Sequence, residues 1–437
     1  IKDRFYTELN FGTAGLRGKI GAGTNRMNQY IIMRATQGLA EVIKEHSKEA
    51  MQRGVAIAHD NRHFSDFFAK TAALVLAKNG IKAYLFDSLR PTPELSFAVR
   101  FLNCISGIVV TASHNPKDYN GYKVYWEEGS QILDHIAIPI QEKIKAIKDF
   151  SQIQLMDERK AIDSQLLVYI GKGIDDEYIS RVKSLSLRDK EVNKNIRIVY
   201  TPLNGTGNIP VRRILKERGF ENVYVVPEQE NPDPNFPTID YPNPEDIKAF
   251  EYAIELGNSV DADILIATDP DCDRLAVMVH DGNRYQALNG NQTGALLIKY
   301  ILDALDEKGQ IPHNGVIVKS IVTGDLGEKI ARQYGVQTVE ALTGFKNICG
   351  KENDFEKTGE YQFIFGYEES IGYVYGTFVR DKDAVISAML LAEAAGYYQT
   401  KGKNLLDVLE DIYKEVGYTA EGPFSLVLEG IEGNERI

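Results

Sequence analysis

Short runs of apolar residues, rich in Val and Ile, recur along the chain, and most are followed by a turn and then by apolar residues at helical spacing. A strand that is apolar throughout is typical of a parallel sheet, because helices cover both faces of such a sheet. The pattern therefore predicts an α/β fold with strands at residues 55–58, 81–86, 107–110, 196–200, 263–267, 315–319 and 362–365.

Helices are predicted where apolar residues recur every three or four positions. Asn28, Asp66 and Asp325 stand at the start of such segments, where a side-chain oxygen can accept hydrogen bonds from the first free backbone N–H groups. The predicted helices cover residues 28–45, 66–78, 210–218, 245–256, 290–305, 325–334 and 382–398.

These strand and helix blocks are expected to form three consecutive α/β domains of related architecture around a central cleft. A chain of 437 residues is too long for one hydrophobic core, and roughly 100 to 200 residues per domain gives about three domains. A polar, loop-like stretch at 145–172 is expected to close the first domain. We predict domain 1 at residues 1–172, domain 2 at 173–285 and domain 3 at 286–412.

Three unusual polar loops each follow a predicted strand, at residues 111–116, 269–274 and 366–370. In open parallel sheets, ligands bind beyond the carboxyl ends of the strands, where loops and helix N-termini converge. One such loop from each block predicts a single cleft between the domains.

The acidic loop reads D-P-D-C-D-R and places Asp269, Asp271 and Asp273 at every second position. In an extended segment this spacing puts three carboxylates on one side, which suits a hard divalent cation. An EF-hand is excluded, because Arg274 occupies the sixth position, where that motif needs Gly. The alternative is a solvated acidic turn, which the apolar strand leading into the loop disfavours.

The serine loop, T-A-S-H-N-P, places Ser113 directly after a buried strand with His114 beside it. A serine hydroxyl becomes a useful nucleophile only with the help of a base or a metal ion. A phosphorylated Ser113 would supply an oxygen to an ion held by the aspartates. The alternative is that the Asn-Pro sequence simply ends the strand in a turn.

The third loop and nearby cationic residues provide groups that suit a sugar phosphate. Glu368 and Ser370 can hydrogen-bond to sugar hydroxyls, although a surface turn is the alternative. Arg17 lies in a Gly-rich turn, and Lys123 and Lys382 follow at short distances from the serine loop and the third loop. No Walker A motif or dinucleotide-binding fingerprint is present.

Composition and charge exclude several classes of protein. The net charge of −12 argues against a nucleic-acid-binding protein, which needs clustered Lys and Arg. The three cysteines form no C-x-x-C pair, and their odd number favours the reducing cytoplasm. No apolar run approaches the length of a membrane span, so no membrane association is expected. The oligomeric state is not predicted.

Four motifs, in this order and spacing, closely resemble the α-D-phosphohexomutase family: F-G-T-A-G-L-R-G, T-A-S-H-N-P-K-D-Y-N-G-Y-K, D-P-D-C-D-R and G-Y-E-E-S. Within the family, the chain looks most like the bacterial phosphoglucomutase branch, which is related to phosphopentomutases. The resemblance implies interconversion of glucose 1-phosphate and glucose 6-phosphate through a phosphoserine enzyme, with Mg²⁺ as cofactor and glucose 1,6-bisphosphate as intermediate and activator. Phosphomannomutase or phosphopentomutase activity is the alternative within the family.

The same resemblance assigns roles to individual residues. Ser113 is the implied phosphoserine, and a phosphoserine oxygen would complete a magnesium site with Asp269, Asp271 and Asp273. His114 and Lys123 are implied to handle protons, and Arg17 and Arg274 to lie near the transferring phosphoryl group. The residues implied to bind substrate are Arg274, Thr343, Gly344, Glu368, Ser370 and Lys382.

The family has a fourth, phosphate-binding domain, and we expect residues 413–437 to be only its beginning, so that the sequence is a piece of a longer protein. Two other classes of function remain open. One is a haloacid-dehalogenase-like phosphatase, in which Asp269 or Asp271 would itself be phosphorylated. The other is a non-catalytic protein that binds a sugar phosphate.

Overall fold

The computed structural model describes residues 1–9, 11–12, 15–422 and 436 of the chain. Of the stretch predicted to begin a fourth domain, 413–437, residues 423–435 and 437 therefore lie outside the described residues. The strands of the described residues form three separate sheets, one after another along the chain.

The first sheet contains six strands in the order β1-β5-β4-β2-β3-β6. Strands β4, β2, β3 and β6 run parallel, whereas β5 is antiparallel to both of its neighbours. The strands are β1 Leu16–Lys19, β2 Val55–His59, β3 Ala83–Phe86, β4 Ser106–Val110, β5 Tyr119–Trp126 and β6 Leu167–Ile170.

The second sheet has the order β11-β10-β9-β7-β8, with a parallel part made of β9, β7 and β8. The strand β10 is antiparallel to β9 and to β11, because short turns connect these three strands. Its strands are β7 Ile198–Thr201, β8 Val223–Val225, β9 Ile264–Thr268, β10 Leu275–His280 and β11 Tyr285–Leu288.

The third sheet has the order β13-β12-β14-β15. Its strands β13, β12 and β14 are parallel, and β15 returns antiparallel along β14. The strands are β12 Gly315–Ser320, β13 Gln337–Ala341, β14 Gln362–Glu368 and β15 Gly372–Tyr375.

Helices cover the faces of the sheets, and several begin at a side-chain cap. Asn28 accepts hydrogen bonds from the N–H groups of Tyr30 and Ile31, and Asn289 forms a capping box with Gln292. In the described residues the α-helices are α1 Lys2–Phe5, α2 Gln29–His46, α3 Lys48–Arg53, α4 Ser65–Lys78, α5 Thr92–Phe101, α6 Asp134–Ala146, α7 Glu158–Asp163, α8 Lys172–Ser184, α9 Asn208–Glu217, α10 Pro227–Glu230, α11 Glu251–Val260, α12 Gly290–Glu307, α13 Leu326–Gln333, α14 Phe345–Thr358, α15 Ala384–Gln399 and α16 Leu405–Val416.

The predicted α/β fold is confirmed, but the sheets are mixed rather than purely parallel. All seven predicted strands are present to within a few residues, as are six of the seven predicted helices. The helix predicted at 245–256 begins instead as a 3₁₀ helix, Ile247–Phe250, before α11. The loop-like linker predicted at 145–172 is wrong in part, because α7 and the edge strand β6 lie within it.

The predicted domain limits stay a prediction. The limit proposed at residue 285 falls at the first residue of β11, which pairs with β10 in the second sheet. The largest hydrophobic core in the described residues joins the three sheets: it includes Tyr125 from the first, Leu265 from the second and Phe365 from the third. None of the helices in the described part of the chain combines the length and apolar composition that crossing a bilayer requires.

Candidate active site

The three polar loops that follow β4, β9 and β14 come together at one end of their sheets. The Ser113 hydroxyl, beyond β4, donates a hydrogen bond of 2.7 Å to Oδ2 of Asp269, beyond β9. Leu275, which begins β10, donates its N–H to the carbonyl of Ile371, directly after the third loop, at 3.1 Å. The predicted single cleft is thus formed by contacts between loops that are far apart in sequence.

A non-glycine residue in the left-handed backbone region lies in or directly after each of the three loops. These residues are Ser113, Cys272 and Ile371, with φ of 51°, 55° and 55°. Such a conformation costs a side-chain-bearing residue about 1–3 kcal/mol, and it persists where the surrounding structure enforces it. The serine hydroxyl is therefore held in one orientation by backbone geometry as well as by its hydrogen bond.

The three aspartates form a buried carboxylate cluster. Asp269 and Asp271 are fully buried and Asp273 is 2% exposed. One carboxylate oxygen from each lies within 4.8 Å of the others. Three carboxylates this close repel one another strongly in a low-dielectric interior, so the arrangement favours a bound cation.

The hydrogen bonds of the cluster leave oxygen atoms for a metal ion. One oxygen of Asp271 accepts from Thr92 and Lys123, at 2.9 and 2.8 Å. The other oxygen, Oδ1 of Asp271, is buried and has no hydrogen-bond partner among the described residues, and the same holds for Oδ1 of Asp273. These two atoms, Oδ2 of Asp269 and Oγ of Ser113 are hard oxygen donors, and this set fits magnesium.

Two buried ammonium groups flank the aspartates. Lys123, on β5, lies 2.8 Å from Asp271 and 3.4 Å from Asp273. Lys382, which precedes α15, lies 3.2 Å from both Asp273 and Asp381. Burial opposes the charged form of each lysine, but the adjacent carboxylates raise the pKa of both above the usual range. Both lysines therefore carry a positive charge at neutral pH.

Asp269 and Asp271 differ in the direction in which their surroundings shift the pKa. Burial and the charges of Asp271 and Asp273 raise the pKa of Asp269 well above its usual range. Burial also opposes ionisation of Asp271, but Lys123 outweighs it and holds the pKa of Asp271 below its usual range. A divalent cation would remove this difference by favouring the ionised form of every carboxylate.

His114 lies beside the serine hydroxyl, with Nδ1 3.1 Å from Oγ of Ser113. Burial, together with the positive charges of Arg274 and Arg17, lowers the pKa of His114 to about 2. The imidazole is therefore neutral in the free protein. Arg17, on β1, donates to the side-chain oxygen of Asn115 at 3.2 Å. Nε of Arg274 is buried, and no residue in the described part of the chain accepts a hydrogen bond from it.

The residues predicted to bind substrate are only partly brought together. Glu368, at the end of β14, accepts a hydrogen bond from the N–H of Gly344 at 2.7 Å. Burial raises the pKa of Glu368, and the nearby positive charges of Lys382 and Arg274 oppose that rise. Thr343, next to this contact, is exposed. Ser370 lines a separate cavity of about 860 Å³ between the second and third sheets, and no hydrogen bond in the described residues joins it to the aspartates.

The structure adds Arg62, a residue that the sequence interpretation missed. Its buried guanidinium donates to the carbonyls of Ser113, Asn115 and Pro116, and it forms an ion pair with Asp60. Burial, which outweighs the attraction of Asp60, lowers the pKa of Arg62. Its sequence signal is the polar string that follows the strand predicted at 55–58.

A second missed region supports the acidic loop from behind. Thr206 donates its N–H and its hydroxyl to the carbonyl of Pro270, at 2.8 and 3.0 Å. A Cβ atom at Gly207 would lie 2.4 Å from the Tyr200 hydroxyl and 2.8 Å from Sγ of Cys272. The loop between β7 and α9 therefore approaches the acidic loop as closely as glycine allows.

Comparison with known protein families gives matches along almost the whole chain. The models for phosphoglucomutase/phosphomannomutase alpha/beta/alpha domains I, II and III match residues 8–150, 176–282 and 289–416. Each match contains one of the three polar loops and most or all of one of the three sheets.

Individual relatives are similar over the same span. A protein named phosphoglucomutase from Staphylococcus haemolyticus is 39% identical over 439 residues, covering 99% of this chain and 77% of the relative. One of the same name from Staphylococcus aureus strain MRSA252 is 39% identical, covering 100% of this chain and 77% of the relative. Among solved structures, a phosphomannomutase from Thermus thermophilus superimposes with a TM-score of 0.78 at 25% identity, covering 94% of this chain and 85% of that one.

Proposed function

Because the chain belongs to the phosphoglucomutase/phosphomannomutase family of α-D-phosphohexomutases, we propose that it interconverts glucose 1-phosphate and glucose 6-phosphate, with Ser113 as the phosphoryl carrier. The observation that carries this proposal is the 2.7 Å hydrogen bond between the Ser113 hydroxyl and Asp269, within a buried cluster of three aspartates. The identity of 39% to the staphylococcal proteins favours glucose phosphates as substrates over mannose or pentose phosphates.

In the proposed reaction, phospho-Ser113 gives its phosphoryl group to a free hydroxyl of the hexose monophosphate. The O–P bond to Ser113 breaks, a new O–P bond forms on the sugar, and the hydroxyl proton of the sugar passes to Oγ of Ser113. The product is glucose 1,6-bisphosphate. This molecule turns over in the cleft and returns its other phosphate to Ser113, so that the net result is an isomerisation.

Asp269, Asp271, Asp273 and the oxygen of Ser113 are the residues that would hold magnesium, which would neutralise charge on the transferring phosphoryl group. Arg17 and Arg274 are proposed to bind the phosphoryl oxygens, because both guanidinium groups lie close enough to His114 to lower its pKa. Lys123 is proposed to stay charged and to hold the aspartates in place rather than to accept a proton.

His114 is proposed to pass the proton between the sugar hydroxyl and Ser113. Its neutral imidazole lies 3.1 Å from Oγ, and the negative charge of an arriving phosphate would raise its pKa from the low value of the free protein. Glu368, at the end of β14, and Lys382, which precedes α15, are proposed to orient the sugar, together with Gly344 and Thr343. A role for Ser370 would require the sugar to reach into the adjacent cavity.

The test is transfer of label from glucose 1,6-[³²P]bisphosphate to the protein. Wild type should become labelled at Ser113, and Ser113→Ala should not. Ser106→Ala is the matched control, because Ser106 is a buried serine of the preceding strand whose hydroxyl donates to the carbonyl of Tyr125. Conversion of glucose 1-phosphate should be lost in Ser113→Ala and retained in Ser106→Ala.

Mapping the labelled peptide separates the alternatives. A phosphoserine ester survives acid, whereas an acyl phosphate on Asp269 or Asp271 hydrolyses readily. Acid-labile label in wild type, or labelling of Ser113→Ala, would overturn the assignment of Ser113. Faster conversion of mannose 1-phosphate or ribose 1-phosphate than of glucose 1-phosphate would overturn the substrate. The cytoplasmic location stays a prediction, consistent with three cysteines that are all free and buried.

A further inference from the structure

Residues 233–241 lie between strands β8 and β9 of the second sheet and pack against the serine loop, which follows β4 of the first sheet. We call this segment the brace. Its backbone carbonyl at Asp233 accepts the side-chain N–H of Asn61 at 3.0 Å. The side-chain oxygen of Asn235 lies 3.0 Å from Nε2 of His63, in hydrogen-bond contact. The brace therefore contacts the residues on both sides of Arg62.

Arg62 connects the brace to the serine loop. On one side its guanidinium donates to four carbonyls along the loop, those of Ser113, Asn115, Pro116 and Tyr119. On the other side the guanidinium lies 5.1 Å from the centre of the Phe236 ring. A planar cation between a ring and a row of carbonyls cannot shift without moving the loop.

Phe236 is held firmly in the brace. It is 3% exposed, and its backbone is left-handed, with φ of 45°, directly before Pro237. Its N–H donates to the carbonyl of Asp233, and its own carbonyl accepts the N–H of Ile239. A bulky residue adopts this conformation only where its surroundings enforce it, which identifies the brace as a built feature.

At its far end the brace also reaches His114. The rings of Tyr241 and His114 lie 5.5 Å apart at an angle of 84°. The brace thus contacts the serine loop at two points, through Arg62 and through His114. The part of the chain that forms the second sheet contains both the brace and the three aspartates.

We propose that Phe236 is a positioning residue for phosphoryl transfer: its ring fixes Arg62, and Arg62 fixes the serine loop against the acidic loop. The inference rests on the proposed function for its kinetic consequence. Ser113 and Asp269 follow strands of different sheets, so their 2.7 Å contact depends on how the first and second sheets are held together. Phe236 sets that spacing without touching the substrate or the reacting atoms.

The kinetic test compares two buried phenylalanines, Phe220 and Phe236, from the part of the chain that forms the second sheet. Phe220 is 1% exposed and lies 4.6 Å from the ammonium of Lys194, away from the serine loop, so Phe220→Leu removes a ring next to a cation and serves as the matched control. In Phe236→Leu we expect single-turnover transfer from phosphorylated protein to glucose 1-phosphate to slow by roughly tenfold to 100-fold. KM should stay within about twofold of wild type, because the phosphate-binding and sugar-binding groups are unchanged.

A second readout does not depend on activity. Hydrogen–deuterium exchange of the peptide covering residues 111–119 should rise at least several-fold in Phe236→Leu and stay unchanged in Phe220→Leu. Should Phe236→Leu fail to fold, Phe236→Met, whose unbranched and flexible side chain adapts to the space left by the ring, is measured in its place.

The outcomes separate this inference from the proposed function. Unchanged exchange of residues 111–119 in a folded Phe236 variant would overturn the inference, even if wild type is an active mutase. Equal slowing of transfer in the Phe220 and Phe236 variants would also overturn it. Raised exchange confined to the Phe236 variant, in a protein whose wild type does not convert glucose 1-phosphate, would support the brace and refute the proposed function.

Discussion

Replacing Lys123 by Met removes a positive charge from the centre of the carboxylate cluster while keeping most of the side-chain volume. The ammonium lies 2.8 Å from Asp271 and 3.4 Å from Asp273, and the three side chains are 5%, 0% and 2% exposed. In the variant, Asp271 keeps Thr92 as a neutral partner but loses the cation with which it forms its ion pair. The metal-free variant should therefore be destabilised.

The size of the effect follows from the distances. Coulomb's law at an effective dielectric constant of about 20 gives attractions of about 6 and 5 kcal/mol for the two contacts. Burying the three charges offsets several kcal/mol of this, and removing one partner of a buried ion pair typically costs about 3–5 kcal/mol. Lys382 still lies 3.2 Å from Asp273 in the variant, so the lower end, about 3 kcal/mol, is expected.

The assay is thermal unfolding in EDTA and in excess Mg²⁺. For a domain of about 150–250 residues that unfolds on its own, about 3 kcal/mol corresponds to a melting temperature lower by about 6–12 °C in EDTA. Excess Mg²⁺ should recover most of the difference, because the ion replaces the missing charge, and calorimetry should show tighter Mg²⁺ binding to the variant. Lys299→Met is the control, since Lys299 pairs with Asp303 at 2.8 Å far from the aspartates.

Equal melting temperatures of wild type and Lys123→Met in EDTA would refute the electrostatic reasoning. A deficit that Mg²⁺ leaves unchanged would refute the placement of the ion beside Asp271. The same Mg²⁺ response in Lys299→Met would show that the recovery is not specific to the cluster.

Two further predictions concern packing and pH. Gly207→Ala should destabilise the protein by about 1–3 kcal/mol and weaken Mg²⁺ binding in calorimetry, because its Cβ would lie 2.8 Å from Sγ of Cys272 in the acidic loop. Gly173→Ala is the control and should do neither, because no described atom lies within 4 Å of a Cβ at residue 173. Intact Mg²⁺ affinity in Gly207→Ala would contradict the prediction. Burial raises the pKa of Asp383, the cap of α15, to about 7. Between pH 5 and 7 the folded protein therefore holds a proton on Asp383 that the unfolded chain has released. The contribution of Asp383 to the free energy of unfolding is present at low pH and falls by about 1.4 kcal/mol per pH unit over this range. Asp383→Asn should remove that slope in denaturant titrations at pH 5, 6 and 7, and an unchanged slope would show that Asp383 is already ionised at pH 5.

The central strands could be predicted from the sequence because burial on both faces makes them apolar throughout, as in β4 and β9. The strand β5 could not, because Asn120 and Lys123 interrupt its apolar run. Lys123 is polar there since it points at the aspartates, so the strand was missed for the same reason that its lysine is a candidate site residue.

The acidic and serine loops could be found because each combines chemistry with position after a strand. The role of Arg62 could not be predicted in the same way. Its partners are backbone carbonyls some 51 positions away, and a backbone carbonyl is present at every residue, so the types of the residues do not indicate the contact. The edge strand β6 was mistaken for a linker, since a four-residue strand among polar neighbours has too few positions to show a period.

The ion pair between Lys123 and Asp271 joins residues 148 positions apart, and this distance sets an order of events during synthesis on the ribosome. At about 5–20 residues per second, the acidic loop emerges roughly 7–30 s after the strand that carries Lys123. Until then the lysine has no acidic partner from that loop, and its ammonium group must remain hydrated. A nascent chain therefore cannot bury this ammonium group against its carboxylates before the acidic loop has been made.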